Sequence, residues 1–253
     1  MVRGLDKFKE HFQQYKDSYI LIGGAACSVV MDESGVEFRA TKDLDLILCV
    51  ESLDNGFISA FWEFIKRGHY LNQQRSDGKR LFYRFAEPED KDYPEMLELF
   101  SRLPDGLKFE GEGRLTPIPV DEETSSLSAI LLDEGYYGFL QAGKNEVDGL
   151  VIIGQEFLIP MKAKAYLDLS NRKAAGESID EKKIKKHKND VLRLYRIIDP
   201  ENKITLPGNI KADLRDFLTS IENDPVDPRS LGYLRESLKG ILSKMREFYD
   251  LDN

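Results

Sequence analysis

The sequence has 253 residues, of which 41% are hydrophobic and 32% are charged, and its net charge is −9. This composition is typical of a globular chain that can bury a substantial core, and the sequence contains no low-complexity tract. The acidic balance also excludes a protein that coats nucleic acid over its whole surface.

The absence of targeting signals and the use of cysteine in the sequence are typical of a protein of the reducing cytosol. No run of 18 apolar residues is present, and the N-terminal segment lacks the apolar core of a signal peptide. The two cysteines, Cys27 and Cys49, lie in apolar stretches and do not indicate a disulfide framework. We therefore expect a cytoplasmic protein that has no membrane-spanning segment.

The first half of the chain alternates between predicted helices and strands. An amphipathic helix comes first, a buried strand runs from Tyr19 to Ile22, and a short helix follows a glycine pair and continues to about Asp32. A strand is predicted from Asp43 to Val50, and phenylalanines at helical spacing predict the next helix. Two strands, starting near Arg80 and Glu95, flank a charged turn. These elements predict an α/β (α+β) unit on a small mixed sheet.

The second half is predicted to be mainly helical. Residues 117–159 give an irregular pattern, whereas helical spacing dominates beyond Pro160. Between Met161 and Arg196 there are eleven Lys or Arg and five Asp or Glu, a local balance of +6, so the remainder must carry −15. We predict an α/β core over residues 1–158 and a helical C-terminal domain over residues 159–253 that packs against it.

The segment DLDLIL at residues 43–48 places two like charges on an otherwise apolar strand. Residues two apart on a strand point to the same side, so Asp43 and Asp45 project together while Leu44 and Leu46 face the core. A divalent cation would remove the repulsion between the carboxylates, and oxygen ligands favour Mg²⁺. Glu98, which lies between two leucines on a later strand, is the candidate third acid of a site for one or two ions. The alternative is an edge strand whose acids face water.

The glycine pair, Gly23 and Gly24, precedes the short helix directly. A helix that begins after such a turn offers unpaired N–H groups and a positive dipole end to phosphates, and glycine lets a substrate approach the backbone closely. The turn matches neither the dinucleotide fingerprint nor the P-loop, which disfavours a nicotinamide enzyme and a P-loop ATPase. Arg39 and Thr41, just before the acidic strand, are candidate phosphate or base contacts; a salt-bridge role is the alternative for Arg39.

Two charged residues of the helical part are further candidates. An advance of 100° per residue places Lys162 on an apolar helix face, where a lone charge is costly, and we predict that it faces phosphate. Asp190 lies on the shoulder of the next helix's apolar stripe, from which a carboxylate can reach an adjoining cleft. The alternative is that Asp190 forms surface pairs with Lys186 and Arg193.

Two phrases, LIGGAACSVV at residues 21–30 and RATKDLDLIL at residues 39–48, resemble the signature of the DNA polymerase β-like nucleotidyltransferase superfamily. The phrases PMKAKA and KKHKNDVLRL further resemble the abortive-infection type toxin nucleotidyltransferases. The resemblance implies Mg²⁺-dependent transfer of a nucleoside monophosphate from an NTP by a core within residues 1–158. It implies metal ligation by Asp43, Asp45 and Glu98, and triphosphate binding by Gly23 and Gly24. It also implies that Asp190, which matches an aspartate of the family's late motif, orients Lys162 or the nucleotide.

The acceptor is left open between an RNA end, a protein hydroxyl and a small molecule. The basic stretch from Lys182 to Lys188 favours RNA, although a lysine face is often only solvated. The toxin resemblance implies an antitoxin partner. The alternative function is a non-catalytic nucleotide-binding or toxin–antitoxin interaction protein with the same fold. It is motivated by Ala25, where the family has Ser or Thr, and by the long segment between the glycine pair and Asp43.

Overall fold

The computed structural model describes residues 2–49, 52, 54–75, 81–101, 116–117, 130–131 and 133–252. The chain forms two compact units: unit 1 comprises Met1–Val120 and Lys144–Ile153, and unit 2 comprises Asp121–Gly143 and Gly154–Asn253. The chain thus passes between the units three times, and residues 121–143 cluster with the C-terminal helices. The division into residues 1–158 and 159–253 stays a prediction.

Unit 1 combines helices with a mixed sheet, as predicted for the fold class. Its helical elements are α1 (Leu5–Phe12), a 3₁₀ turn (Lys16–Ser18), α2 (Gly23–Glu33) and α3 (Asn55–Gly68). Its strands are β1 (Tyr19–Ile22), β2 (Asp43–Leu48), β3 (Tyr70–Arg75), β4 (Leu81–Pro88), β5 (Met96–Ser101), β6 (Thr116–Pro117), β7 (Lys144–Val147) and β8 (Leu150–Ile153). The strand boundaries predicted at Val50 and Arg80 lie outside the described residues.

The eight described strands form one sheet in the order β6-β3-β4-β5-β2-β1-β8-β7. Strand β1 pairs antiparallel with β2 and parallel with β8, and β2 pairs parallel with β5. All four residues of β1 are buried, as is typical of a strand that is covered on both faces. Since β2 lies between β1 and β5, the edge-strand alternative for Asp43 and Asp45 is wrong.

Aromatic packing holds the first helices of unit 1 against its sheet. The apolar face of α1 carries Phe8 and Phe12, both buried. The ring centroid of Phe8 lies 5.2 Å from that of Tyr19 on β1, and the ring centroid of Phe12 lies 5.4 Å from that of Phe64 on α3. Buried aromatic pairs at such distances add to the hydrophobic contribution of the rings. This cluster fixes β1, and with it the start of the glycine turn.

Unit 2 is helical in its described part, which confirms the predicted character of the C-terminal region. Its elements are α4 (Glu134–Ala142), α5 (Gln155–Ala174), α6 (Glu181–Tyr195), α7 (Gly208–Asn223), a 3₁₀ turn (Pro228–Leu231) and α8 (Leu238–Phe248). The side chain of Asp180 caps α6 by accepting a hydrogen bond from the N–H of Lys182. Across the described residues, no helix is both long enough and apolar enough to cross a membrane.

Helix α5 begins at Gln155, before the predicted onset, and contains Pro160. Proline has no N–H, so the carbonyl of Glu156, four residues earlier, lacks its usual helical donor. The hydroxyl of Tyr249 donates to this carbonyl at 2.9 Å. A buried tyrosine of the C-terminal segment therefore satisfies the carbonyl and allows the helix to continue through the proline.

Candidate active site

The predicted acidic strand has the expected alternation. Leu44 and Leu46 are 0% and 1% exposed, whereas Asp43 and Asp45 are half-buried. Residues two apart on a strand share a side, so both carboxylates project from the same face of β2. The strand therefore presents paired acids on one side while it packs into the core on the other.

The glycine turn lies directly against this strand. In the β1–β2 pairing, Ile22 is opposite Asp45, and α2 begins at the next residue, Gly23. Gly23 has φ +66°, and a Cβ atom at this position would overlap the Oδ2 atom of Asp45. The turn thus requires glycine for its backbone conformation and for the approach of the carboxylate. As a result, the acid lies against the N-terminus of α2.

The segment between α2 and β2 folds back onto the same turn. A Cβ atom on Gly24 would lie 2.7 Å from the Oγ1 atom of Thr41 and 3.6 Å from the Nη2 atom of Arg39. A hydroxyl and a guanidinium are therefore next to the start of α2, where N–H groups lack helical partners. Ala25 is fully buried and has no hydroxyl to offer. Thr41 provides one beside the turn.

A row of three charged residues crosses neighbouring strands. Asp45 on β2 is paired with Glu98 on β5, and Glu98 is paired with Arg84 on β4. Directly paired residues lie side by side on one face of a sheet. The Nε and Nη2 atoms of Arg84 donate to the Oε1 atom of Glu98 at 2.8 and 2.6 Å. We call Asp45, Glu98 and Arg84 the charged row.

The electrostatics of the charged row reflect burial first and neighbouring negative charge second. Burial is the main cause that raises the pKa of Glu98 to about 9, and the neighbouring Asp45 raises it further. The Arg84 guanidinium opposes the shift. The side chains of Arg84 and Glu98 are only 18% and 11% exposed, so water screens this pair weakly.

Arg84 is a site residue that the sequence interpretation missed. In the hairpin of β4 and β5, Tyr83 is paired with Leu99 and Phe85 with Leu97. Aligning these buried apolar positions across the charged turn fixes the register, and that register sets Arg84 opposite Glu98. The signal was therefore present in the alternation of both strands, but it required pairing them with each other rather than interpreting each strand alone.

The carboxylates of this site can be compared with the ligands that Mg²⁺, the ion implied by the resemblance, requires. Among the described residues, no three His, Cys, Asp or Glu side chains are grouped closely enough to form a metal site from protein ligands alone. Mg²⁺ needs no such cage, since it is usually held by one or two carboxylates together with water and substrate phosphates. Asp43 and Asp45 fit that requirement. Glu98 is engaged by Arg84, and its role as a metal ligand stays a prediction.

The two candidates in unit 2 form a buried ion pair between α5 and α6. The Nζ atom of Lys162 lies 3.5 Å from the Oδ2 atom of Asp190, and their side chains are 5% and 0% exposed. Arg193 is the next cation, with its Nη1 atom 3.8 Å from the Oδ1 atom of Asp190. Asp190 is thus placed to orient Lys162. The alternative that Asp190 pairs on the surface is wrong in its location, because its side chain is fully buried, but its predicted pair with Arg193 is present.

The predicted site residues fall into two groups. The following seven lie in unit 1: Gly23, Gly24, Arg39, Thr41, Asp43, Asp45 and Glu98. Lys162 and Asp190 lie in unit 2. Within unit 1, the structure brings the glycine turn, the segment before β2 and the acidic strand together. Within unit 2, it joins the lysine and the aspartate.

No protein-family model matches the sequence, and no curated protein matches it significantly. Among solved structures, the chain is similar to the Megavirus polyadenylate synthase at 13% identity and a TM-score of 0.41, with 87% of this chain aligned to 36% of that one. It is similar to an antigenic nucleotidyltransferase-like protein from Paracoccidioides brasiliensis at 14% identity and a TM-score of 0.44, covering 92% of this chain and 89% of that one.

A third similar structure is the antibiotic-resistance factor ANT(2'')-Ia, at 10% identity and a TM-score of 0.40, covering 87% of this chain and 94% of that one. The chain therefore spans little more than a third of the Megavirus protein, but most of the other two.

Proposed function

We propose that this chain is a Mg²⁺-dependent nucleotidyltransferase that moves a nucleoside monophosphate from an NTP to an acceptor hydroxyl. The observation that carries the proposal is the contact between the glycine turn and the acidic strand. Gly23, at the start of α2, lies so close to Asp45 that no side chain fits between them, and Asp43 projects from the same face. Such an arrangement presents helix N–H groups and paired carboxylates to one ligand.

The groups around the turn suit a triphosphate. The first N–H groups of α2 have no acceptor within the helix and lie at its positive dipole end, so they would bind phosphate oxygens. Thr41 would donate its hydroxyl, and Arg39 would donate N–H groups of its guanidinium, beside Gly24. In this proposal, Thr41 provides the phosphate contact that Ala25 cannot make.

The acids would hold the magnesium ion with which the NTP binds. When bound, Mg²⁺ would neutralise phosphate charge and polarise the reacting oxygens. Asp43 and Asp45 would be its protein ligands, and Arg84 would hold Glu98 beside them. The acceptor oxygen would form a bond to the α-phosphorus as the bond from that phosphorus to the pyrophosphate oxygen breaks. The hydroxyl proton would pass to water. The protein would contribute positioning and electrostatic stabilisation.

Lys162 would supply positive charge for the phosphates in this proposal. A lysine on an apolar helix face needs a compensating group, and Asp190 lies 3.5 Å from its ammonium. Asp190 would fix the direction of the Lys162 side chain rather than contact the reacting atoms itself. It would be a positioning residue, and its removal should weaken NTP binding only through Lys162.

The physiological setting follows from the sequence resemblance and belongs to the proposal. We propose a cytoplasmic toxin of a toxin–antitoxin pair, with an antitoxin as its protein partner. An RNA end is the favoured acceptor, because α6 carries the basic stretch from Lys182 to Lys188. A protein hydroxyl and a small molecule are the other acceptor classes to be tested.

The test combines binding with chemistry. Thermal unfolding of the full chain with Mg²⁺ and each of the four NTPs should show a metal-dependent rise, since ligand at 100 times its dissociation constant stabilises by about 2.7 kcal/mol. Asp43→Asn and Asp45→Asn should abolish that rise, whereas the exposed control Asp17→Asn should keep it. Pyrophosphate release with total RNA, protein and small-molecule acceptors then tests transfer.

The outcomes separate the two functions that the sequence left open. NTP binding with pyrophosphate release that requires Asp43 and Asp45 supports the transferase. Tight NTP binding without release from any acceptor class supports the non-catalytic nucleotide-binding protein. Full transfer activity in both aspartate variants contradicts the proposed mechanism.

A further inference from the structure

The two aspartates that would hold the metal ion have different neighbours on β5. Asp45 is paired in register with Glu98, whereas Asp43 is paired with Met96. Glu98 is close enough to Asp45 for a hydrogen bond between the two carboxyl groups. The thioether of Met96 offers Asp43 no comparable contact. The support from β5 is therefore directed at Asp45.

Arg84 occupies one oxygen of Glu98 completely. Its Nε and Nη2 atoms both donate to the Oε1 atom, at 2.8 and 2.6 Å, and a carboxylate oxygen has two lone pairs to accept with. Hydrogen bonds from a charged donor are also roughly twice as strong as neutral ones. A metal ion at this oxygen would have to displace the guanidinium from a place where the two side chains are only 18% and 11% exposed.

The three acids do not form one set of metal ligands. Among the described residues, which include Asp43, Asp45 and Glu98, no three His, Cys, Asp or Glu side chains are close enough together to hold an ion. Mg²⁺ is usually bound through one or two carboxylates, with water and substrate phosphates completing its octahedron. The two aspartates meet that requirement without Glu98.

Asp45 needs neighbours that fix the direction of its carboxylate. The last torsion of an aspartate side chain is broad, so its rotamer alone does not set where the oxygens point. On one side, the Oδ2 atom of Asp45 lies against Gly23, where an added Cβ would overlap it. On the other side lies Glu98, which Arg84 holds in place. Groups that hydrogen-bond a metal-ligating side chain orient it in this way.

From these contacts we infer that Glu98 is a positioning residue rather than a metal ligand, and that Arg84 anchors it so that Asp45 stays directed at the glycine turn. The divalent ion is then held by Asp43 and Asp45 alone among these acids. This inference rests on the proposed function. It departs from the metal-ligand role that the family resemblance implies for Glu98, and it assigns Arg84 an effect on metal binding that acts through Glu98.

The first measurement is the affinity of the full chain for Mn²⁺, which takes the same oxygen ligands as Mg²⁺ and whose free form is followed by its EPR signal. Asp45→Asn and Glu98→Gln make the same carboxylate-to-amide change at directly paired positions. Asp45→Asn should abolish saturable binding, because it removes a ligand. Glu98→Gln should stay within about threefold of wild type, since glutamine can still accept from Arg84 and donate to Asp45. Equal losses in the two variants would show that Glu98 is a ligand and would overturn the inference.

Removing either member of the Arg84–Glu98 pair tests the positioning role itself. Glu98→Ala loses both contacts and should weaken Mn²⁺ binding about tenfold, as is typical when the partner of a metal ligand is removed. Arg84→Met should weaken binding to a similar degree. The double variant should be no weaker than Glu98→Ala, because Arg84 acts only through Glu98. Wild-type affinity in Glu98→Ala overturns the inference. Tighter binding in Arg84→Met also overturns it, since that is the effect of removing a positive charge alone.

The matched control for Arg84→Met is Arg67→Met, which removes an exposed arginine that pairs with Glu63 on α3. It should change the Mn²⁺ affinity by no more than about twofold, because water and salt screen its charge. Thermal unfolding without metal shows whether each variant is folded at the temperature of the titration. Glu98→Gln keeps both side-chain contacts, so the comparison with Asp45→Asn decides even if Arg84→Met or Glu98→Ala fails to fold.

The thermal shift with Mg²⁺ and NTP separates this inference from the proposed function. If the shift depends on Asp43 and Asp45 and is also lost in Glu98→Gln, the positioning role fails and the proposed function stands. If the wild-type chain responds to neither Mn²⁺ nor NTP, both fail. A shift that is kept in Glu98→Gln and reduced in Glu98→Ala supports both.

Discussion

Two sets of predicted acids, one in each unit, are buried to different depths. In unit 1, Asp43 and Asp45 are half-buried beside a glycine turn, so their oxygens keep access to a ligand. In unit 2, Asp190 is fully buried and lies against Lys162. A half-buried carboxylate keeps part of its hydration, whereas a fully buried one requires a protein cation. The comparison teaches that the depth of a carboxylate, rather than its presence on an apolar element, decides whether it stays open to a ligand or holds a protein cation in place.

The largest expected effect comes from breaking the pair in unit 2. Asp190→Ala leaves the Lys162 ammonium buried without its carboxylate, and it should lower the free energy of unfolding by about 3–5 kcal/mol. Urea denaturation measures this change. The double variant Lys162→Met with Asp190→Leu should recover most of the loss, because it removes both charges. Asp43→Asn in unit 1 should change stability by about 1 kcal/mol or less. Equal losses in the free energy of unfolding for Asp190→Ala and Asp43→Asn would contradict the proposed difference between the fully buried and the half-buried acids.

The charged row offers a second comparison, between a buried and an exposed arginine pair. Arg84→Met removes both hydrogen bonds to Glu98 and should cost about 1.5–3 kcal/mol, the range for hydrogen bonds to charged groups. Arg67 pairs with Glu63 at 2.6 Å, but the two side chains are 62% and 52% exposed. Arg67→Met should therefore cost about 0.5 kcal/mol or less. The urea denaturation midpoints of the two variants measure these losses of stability. A smaller loss for Arg84→Met than for Arg67→Met would contradict the description of Arg84 and Glu98 as a buried, weakly screened pair.

The glycine turn can be tested with a matched pair of glycines. Gly23 has φ +66° and Gly35 has φ +67°, so alanine at either position should cost about 1–2 kcal/mol in backbone strain. Only at Gly23 would the added Cβ overlap Asp45, since nothing lies within 4 Å of that position at Gly35. Gly23→Ala should therefore lose the thermal shift with Mg²⁺ and NTP, whereas Gly35→Ala should keep it. If both variants keep the shift, the turn does not contribute to the nucleotide site.

The smallest expected effect concerns a neutral buried group in unit 2. Tyr249→Phe removes the donor to the Glu156 carbonyl and should cost about 1 kcal/mol. In a Pro160→Ala background, the restored N–H can bond the same carbonyl, so the cost of Tyr249→Phe should fall. A double-mutant cycle measured by urea denaturation gives this coupling directly. Additive effects would show that Tyr249 does not compensate for the proline.

Local patterns were sufficient to predict the strand, turn and helix that position the acids. Tyr19 to Ile22 is uniformly apolar, the glycine pair interrupts it, and the alternation in β2 sets the direction of Asp43 and Asp45. These features lie within a few residues of each other. They required no knowledge of distant parts of the chain.

Features that depend on long-range pairing were not predicted. Strand β8 is only four residues long and pairs with β1, which lies over 120 residues earlier in the chain. Its hairpin with β7 did have a local sequence signal, because Asp-Gly is a preferred two-residue hairpin turn. In the structure, Asp148 and Gly149 both have the positive φ that such a turn requires. The burial of Asp190 was missed for another reason: helical periodicity gives the direction of a side chain but not its depth.

The three passages of the chain between the units have a consequence for the order of synthesis. N-terminal domains generally fold first while the rest of a protein is still being made. Here, the sheet of unit 1 includes β7 and β8, which are translated only after Asp121–Gly143 of unit 2. The sheet therefore cannot be completed until residue 153 has left the ribosome. A nascent chain that stalls between residues 121 and 143 would present β1 without its neighbour β8, an unpaired strand edge of the kind that aggregates.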